Sequence, residues 1–164
     1  MESGVWPRQG GCGDEFAIRG ESQLVMATNM LNLIQLVVIP VQDQERSVAF
    51  YESLGFERRN DAAWGDGERW VEVYPPGTST GLALVPPEPG ASTGIRTGII
   101  LDTDDIDRAH AELRAKGVDV DPEIARVGAG VKIRIGPVET ADPVPPMFYF
   151  RDPDGNVLMV VQPG

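Results

Sequence analysis

Asp43-Gln44-Glu45-Arg46-Ser47-Val48-Ala49-Phe50-Tyr51-Glu52-Ser53-Leu54-Gly55 decides the fold, because the chain repeats its design. The second copy is Asp105-Ile106-Asp107-Arg108-Ala109-His110-Ala111-Glu112-Leu113-Arg114-Ala115-Lys116-Gly117. Each stretch opens on a carboxylate that can accept hydrogen bonds from the first unpartnered N–H groups of a helix. Each closes on a glycine suited to the left-handed position after the last turn. Between these ends Val48, Tyr51 and Leu54, with Phe50, fall at helical spacing in the first copy, as do Ile106, Ala109 and Leu113 in the second. Asp105 follows Asp43 by 62 positions and Gly117 follows Gly55 by the same 62, so the two predicted helices hold register without a gap.

Outward from the helices the strands repeat as well. Leu33 to Ile39 is an apolar, β-branched run ending at Pro40, where a missing ladder donor is tolerated. Thr97 to Leu101 occupies the same place before the second helix, and the shared offset pairs Leu36 with Gly98. Phe56–Arg59, Arg69–Tyr74 and Gly81–Val85 follow the first helix, with a turn at Pro75-Pro76-Gly77. Val118–Val120, Met147–Phe150 and Val157–Val161 follow the second, with a tight turn at Asp152-Pro153-Asp154-Gly155. The expected architecture is α+β: two βαβββ modules, residues 31–92 and 93–164, forming a mixed-sheet open barrel around one cleft. The final strands are offset by 75, so the second half carries about 13 extra residues. They lie between Pro122 and Pro146, an insertion at about 123–145 in which Val131, Ile133 and Ile135 alternate as an added strand or hairpin. A lid and a surface elaboration both suit such an insertion. Residues 1–30 lack periodicity and read as a flexible extension or one loosely docked strand, with Met26 and Met30 as alternative starts.

Composition narrows the function classes. A chain of 164 residues with 41% hydrophobic content can bury one core, and its 19 Gly and 14 Pro fall between apolar runs as turn formers. A net charge of −11 disfavours nucleic acid and anionic membranes. It suits a cationic ligand, and equally it suits plain solubility. Cys12 is the single cysteine and His110 the single histidine, which excludes an internal disulfide and argues against a Cys/His metal cluster or a Cys–His nucleophile. No run of 18 apolar residues spans a membrane and no apolar leader core is present, so a cytoplasmic location is expected.

Val41-Gln42-Asp43 through Leu54-Gly55-Phe56, and Phe148-Tyr149-Phe150-Arg151-Asp152-Pro153-Asp154-Gly155-Asn156, resemble the opening and closing motifs of the vicinal oxygen chelate superfamily. That superfamily includes glyoxalase I, extradiol dioxygenases, fosfomycin-inactivating enzymes and bleomycin-binding proteins, and the likeness runs from about Leu31 to Gln162. The resemblance implies a small-molecule cleft and a homodimer. In metal-using members the ligands stand on the first and last strands of each module. The matching positions are Leu36, Leu84, Gly98 and Met159, none of which suits a catalytic divalent ion. Neither a metal nor another cofactor is therefore expected, and His110, on a helix, reads as a packing or surface residue.

Strand alternation then places side chains in the cleft. With Leu84 and Met159 facing inward, Leu82 and Val157 do too. Tyr74 and Tyr149 stand ten residues before Leu84 and Met159, a spacing at which metal-using members of the superfamily often hold a site tyrosine, and the period of two then adds Glu72, Trp70 and Met147. The modules' first strands add Ile34, Leu36, Val38, Arg96, Gly98 and Ile100. Leu36, Val38, Trp70, Tyr74, Leu84, Arg96, Gly98, Met147 and Met159 are the expected ligand contacts. Glu72 and Tyr149 are the candidates for acid–base work, since an acid in an apolar wall has a raised pKa. Arg96 is read either as a carboxylate binder or as the partner of Glu72. Asp61, Trp64, Asp66 and Glu68 read as a hairpin tip or as the cleft edge. These residues suggest metal-independent binding of a cationic or aromatic metabolite. The alternatives are a metal-independent isomerase, hydrolase or cyclase using Glu72 or Tyr149, and a non-catalytic interaction module.

Overall fold

A computed structural model describes residues 31–65 and 67–164; the expectations for residues 1–30 and for Asp66 lie outside the described residues. The elements follow the order β1 (Leu36–Pro40), α1 (Gln44–Ser53), β2 (Glu57–Trp64), β3 (Glu68–Tyr74), β4 (Gly81–Val85), β5 (Arg96–Asp102), α2 (Ile106–Ala115), β6 (Asp119–Val120), β7 (Ile133–Ile135), β8 (Val138–Thr140), β9 (Met147–Arg151) and β10 (Val157–Val161). One sheet has the order β1-β4-β3-β2, the other β5-β10-β9-β6, and β7-β8 form a separate hairpin. In both sheets the first strand pairs parallel with the last and the remaining pairs are antiparallel, so two βαβββ modules of one design stand in the chain.

The helix ends form as their chemistry dictates. Asp43 accepts from the Arg46 amide and Asp105 from the Arg108 amide, each at 3.0 Å. Gly55 (φ +93°) and Gly117 (φ +76°) take the left-handed position. Phe56 N–H donates back to Tyr51 C=O and Val118 N–H to Leu113 C=O, which closes the last turns in the same way.

The helix sides of both sheets share one core. Ile39, Val71 and Leu84 from the first module meet Phe148, Phe150 and Leu158 from the second, together with Val48, Tyr51 and Ile106 of the helices. Phe50 lies 6.5 Å from Phe150, ring centre to ring centre. The turn Asp152–Gly155 is wired across this seam. Asp154 accepts from Gln42 N–H, Arg46 Nη2 and Ser47 Oγ, and the Tyr51 hydroxyl donates to Asp152. Burial, then the neighbouring Asp152 charge, pushes the Tyr51 phenol well above its ordinary pKa.

Several expectations change. The first strand begins at Leu36, leaving Leu33 and Ile34 exposed before it. The second runs to Trp64, so Asp61 and Trp64 belong to a strand. Of the two readings open for His110, packing is the one found: it is buried, Nε2 lies 2.8 Å from the Asp121 carbonyl oxygen, and the ring packs edge-on to Phe148. The helix sides of the two sheets meet inside the chain, and the opposite face of each sheet stays open.

Candidate functional site

The open face of the first sheet is set by its strand register. Glu72 stands opposite Ala83 and Asn60, Trp70 opposite Ala62, while Leu84 stands opposite Val71. Trp70, Glu72 and Tyr74 therefore share the open face with Asn60, Ala62, Ala83 and, on β1, Leu36 and Val38. Leu84 and Leu82 face the other way. Leu84 is fully buried among core residues, and Ala83 stands on the open face beside Glu72. The parity of the hairpin register decides this, since residues facing each other across β3 and β4 share a side.

Glu72 is the polar centre of that face. Oε1 accepts from Trp70 Nε1 at 2.6 Å and from Asn60 Nδ2 at 3.3 Å, and Oε2 accepts from the Tyr74 hydroxyl at 2.9 Å. Burial opposes its ionisation, yet these three donors outweigh burial and hold its pKa below the ordinary 4.5. The expected upward shift is thus reversed, because donors on flanking side chains replace the lost water. The Tyr74 phenol is raised by burial and by its bond to Glu72. Trp64 stacks on Trp70 with centroids 4.5 Å apart and stays 56% exposed, which extends the aromatic surface to the sheet's end. The Arg59 guanidinium lies 4.5 Å above the Tyr74 ring.

The second open face carries Arg96, Gly98, Tyr149 and Met159 around a pocket of about 220 Å³, with Ile100 and Ile135. Met147 is buried beside it, packed with Tyr149 and Met159 against Ile133 of the inserted hairpin. The Tyr149 hydroxyl donates to the Arg134 carbonyl at 2.7 Å, and Arg96 sits 5.0 Å over the Tyr149 ring. Among the described residues neither Arg96 nor Glu72 makes an ion pair, so the two are not partners. At Gly98 (φ +73°) the β5–β10 register slips between Arg96–Val157 and Ile100–Met159, a bulge in which Thr97 Oγ1 accepts from Ile99 N–H.

The open-face side chains of the first and last strands of both modules include Leu36, Val38, Ala83, Arg96, Ile100, Asp102 and Met159 beside Gly98. Asp102, at the exposed end of β5, is the one carboxylate in this set and no imidazole joins it, so the set does not fit a catalytic divalent ion. Among the described residues no three His, Cys, Asp or Glu side chains converge. None of the described helices is long and apolar enough to cross a membrane.

Asn60 was missed from sequence, and Trp64 was read only as part of a hairpin tip or cleft edge. The run Glu57–Trp64 is exposed throughout and lacks an apolar alternation, so its length as a strand is hidden. Counting back by two across the Gly65–Gly67 turn would have reached them.

Solved structures resemble the chain over most of its length. TnmS3, an antibiotic binding protein from Streptomyces sp. CB03234, is 37% identical, with 82% of this chain and 98% of that chain covered and a TM-score of 0.64. A glyoxalase/bleomycin resistance protein/dioxygenase superfamily member from Sphaerobacter thermophilus is 34% identical, covering 81% and 98%, with a TM-score of 0.68. A glyoxalase/bleomycin resistance protein from Streptomyces sp. CB03234 is 38% identical, covering 77% and 97%, with a TM-score of 0.57. A search of curated proteins finds no match. The family model of the Glyoxalase/Bleomycin resistance protein/Dioxygenase superfamily matches residues 33–160, and with the repeated βαβββ design on the same residues, the chain belongs to that superfamily.

Proposed function

We propose that the chain is a metal-independent binding protein that sequesters a cationic or aromatic small molecule in the cytoplasm. The observation that carries this reading is Glu72, an ionised carboxylate fixed by three donors on an open aromatic face. A carboxylate has about four acceptor positions, and three are occupied, which leaves one for a ligand. Trp64 and Trp70 add cation–π attraction beside it. A family relative, TnmS3, is an antibiotic binding protein, which supports a ligand of that general size and kind.

The working cleft in this reading lies between two copies of the chain. The first sheet's open face in one copy meets the second sheet's open face in the other, so Leu36, Val38, Trp70, Tyr74 and Glu72 stand across from Arg96, Gly98, Met147, Tyr149 and Met159. Exposed Val38, Trp64 and Ile100, each 56% accessible, support this, because apolar surface on open sheet faces favours a partner. The catalytic alternative is weaker. Glu72 is held ionised, which removes a general acid, and the Tyr149 hydroxyl is committed to a backbone carbonyl.

A thermal-shift screen of aromatic amines and quaternary ammonium compounds, run after dialysis against chelator, tests the proposal. The expected result is a rise in Tm that survives chelation and is reduced in Glu72→Gln. Ligands that stabilise the parent and Glu72→Gln equally would overturn the role of Glu72. Turnover of a bound compound, lost in Glu72→Gln, would replace binding by catalysis.

A further inference from the structure

Among the described residues, Arg96, Arg114 and Lys116 are the cationic side chains with no carboxylate within 4.0 Å; every other Lys and Arg is ion-paired. In a chain of net charge −11, acids are plentiful, so an arginine left without one is unusual. Arg114 donates to the Pro122 carbonyl at 3.1 Å from exposed helix surface, and Lys116, which caps that helix, donates to the Ser53 carbonyl beside a cavity that already holds the carboxylates of Asp102 and Glu112. Arg96 differs. It edges the pocket of about 220 Å³ whose other walls are Ile100, Ile135, Val157, Met159 and the Tyr149 ring. Its one hydrogen bond, to the Arg134 carbonyl, is long at 3.3 Å. A guanidinium carries five N–H donors, so most of its capacity is unused. Stacking over Tyr149 fixes its plane without neutralising it.

Resting on the binding reading above, we infer that Arg96 is an oxyanion subsite, and that the pocket beside it takes the flat hydrophobic part of an aryl carboxylate or phenolate. The hydrocarbon walls accept a ring, and the slipped register at Gly98 keeps a side chain out of the floor. The Tyr149 hydroxyl, bound to the hairpin backbone, presents only its ring to the ligand. The net charge repels anions at range, but salt screens that repulsion over about 8 Å at physiological ionic strength. A direct guanidinium–carboxylate contact is short, partly dry and often bidentate, so it prevails locally. With Glu72 on the facing sheet, the preferred ligand carries an oxyanion at one end and a cationic or polarised group at the other.

Calorimetric titration of the full chain and of Arg96→Gln with naphthoate, naphthamide and naphthylmethylammonium tests this. Naphthoate should bind the parent about tenfold or more tightly than the neutral amide, a difference worth about 1.4 kcal/mol. In Arg96→Gln that preference should vanish, with the acid falling to the level of the amide, and in Arg96→Lys it should survive in part. Naphthoate should also shift the methyl resonances of Met159 and Ile100. Equal binding of acid and amide by the parent, a preference that persists in Arg96→Gln, or no naphthoate binding at millimolar concentration overturns the subsite. The ammonium probe, compared between the parent and Glu72→Gln, reports on the cation site separately, so either half can fail alone.

Discussion

The donors around Glu72 favour its ionised form, and that makes its contribution depend on pH in a definite direction. Its folded pKa lies below the ordinary 4.5, so on acidification the unfolded chain takes up the proton first. Stability from the ionised carboxylate is therefore fully present above about 4.5 and is lost as pH falls through the lower folded value. Glu72→Gln should cost about 1 kcal/mol at neutral pH, the lower range for bonds to a charged but partly exposed group. The gap in Tm between parent and variant should close in acid; a gap independent of pH would show that the carboxylate charge plays no part. Gly81 controls the same cluster through space. A Cβ there would lie 2.7 Å from the Tyr74 ring, so Gly81→Ala must turn the ring away and break its 2.9 Å bond to Glu72. The phenol of Tyr74, now raised by burial and by Glu72, should titrate closer to its ordinary 10.0 in Gly81→Ala. Ultraviolet titration of the phenolates checks this; an unchanged curve would mean the ring adapts in place.

At the scale of elements, the helix ends are local chemistry and behave as such. Asp105 satisfies the Arg108 amide at 3.0 Å, and Asp105→Ala should lower stability by about 1 kcal/mol while Asp105→Asn costs little. Denaturant midpoints measure both. The same locality made the modules readable: capping carboxylate, apolar spacing and terminal glycine each act within one turn, so their repetition survives in sequence as a fixed offset. That Trp70, Glu72 and Tyr74 share one face was also legible, from strand alternation. Leu84 was not. Its side of the sheet depends on the β3–β4 hairpin register, which pairs it with Val71. A spacing of ten residues between strands cannot reveal that parity. The extension of β2 to Trp64 was hidden for a related reason. Its side chains are exposed on an edge strand, and edge strands need no apolar alternation. The hairpin β7–β8 was anticipated from Val131, Ile133 and Ile135. Its role in fixing the Tyr149 hydroxyl was not, since that contact uses a backbone carbonyl with no sequence signature.

The whole molecule depends on one buried polar joint and on two open faces. Asn156 is fully buried; its Oδ1 accepts from Gly94 and Ile95 N–H, and its Nδ2 donates to Pro40 C=O and Asp152. Asn156→Ala would strand backbone groups of both modules at once, and each unsatisfied group costs about 1–3 kcal/mol. A loss near 3 kcal/mol or more in chemical denaturation is expected, and a loss within that of an ordinary surface substitution would refute the joint. The open faces lead to the assembly. Nothing in sequence says which sides of two sheets meet, and here the helix sides meet inside the chain, leaving Val38 and Ile100 exposed at the first strand of each sheet. Such strands are sheet edges with unpaired backbone, and edges bearing apolar side chains favour a second copy over water. Stable protein interfaces bury about 800 Å² per partner, a demand that two four-stranded faces can meet. Light scattering should therefore give a dimer mass at micromolar concentration, with a Tm that rises with protein concentration. Ile100→Asp places a charge on the facing surface without touching the internal core. It should yield a folded monomer with an unchanged circular dichroism spectrum and weakened binding of the ammonium probe. A monomeric parent would remove the facing-sheet cleft. A monomeric Ile100→Asp that binds as tightly as the parent would confine the site to one chain's open face.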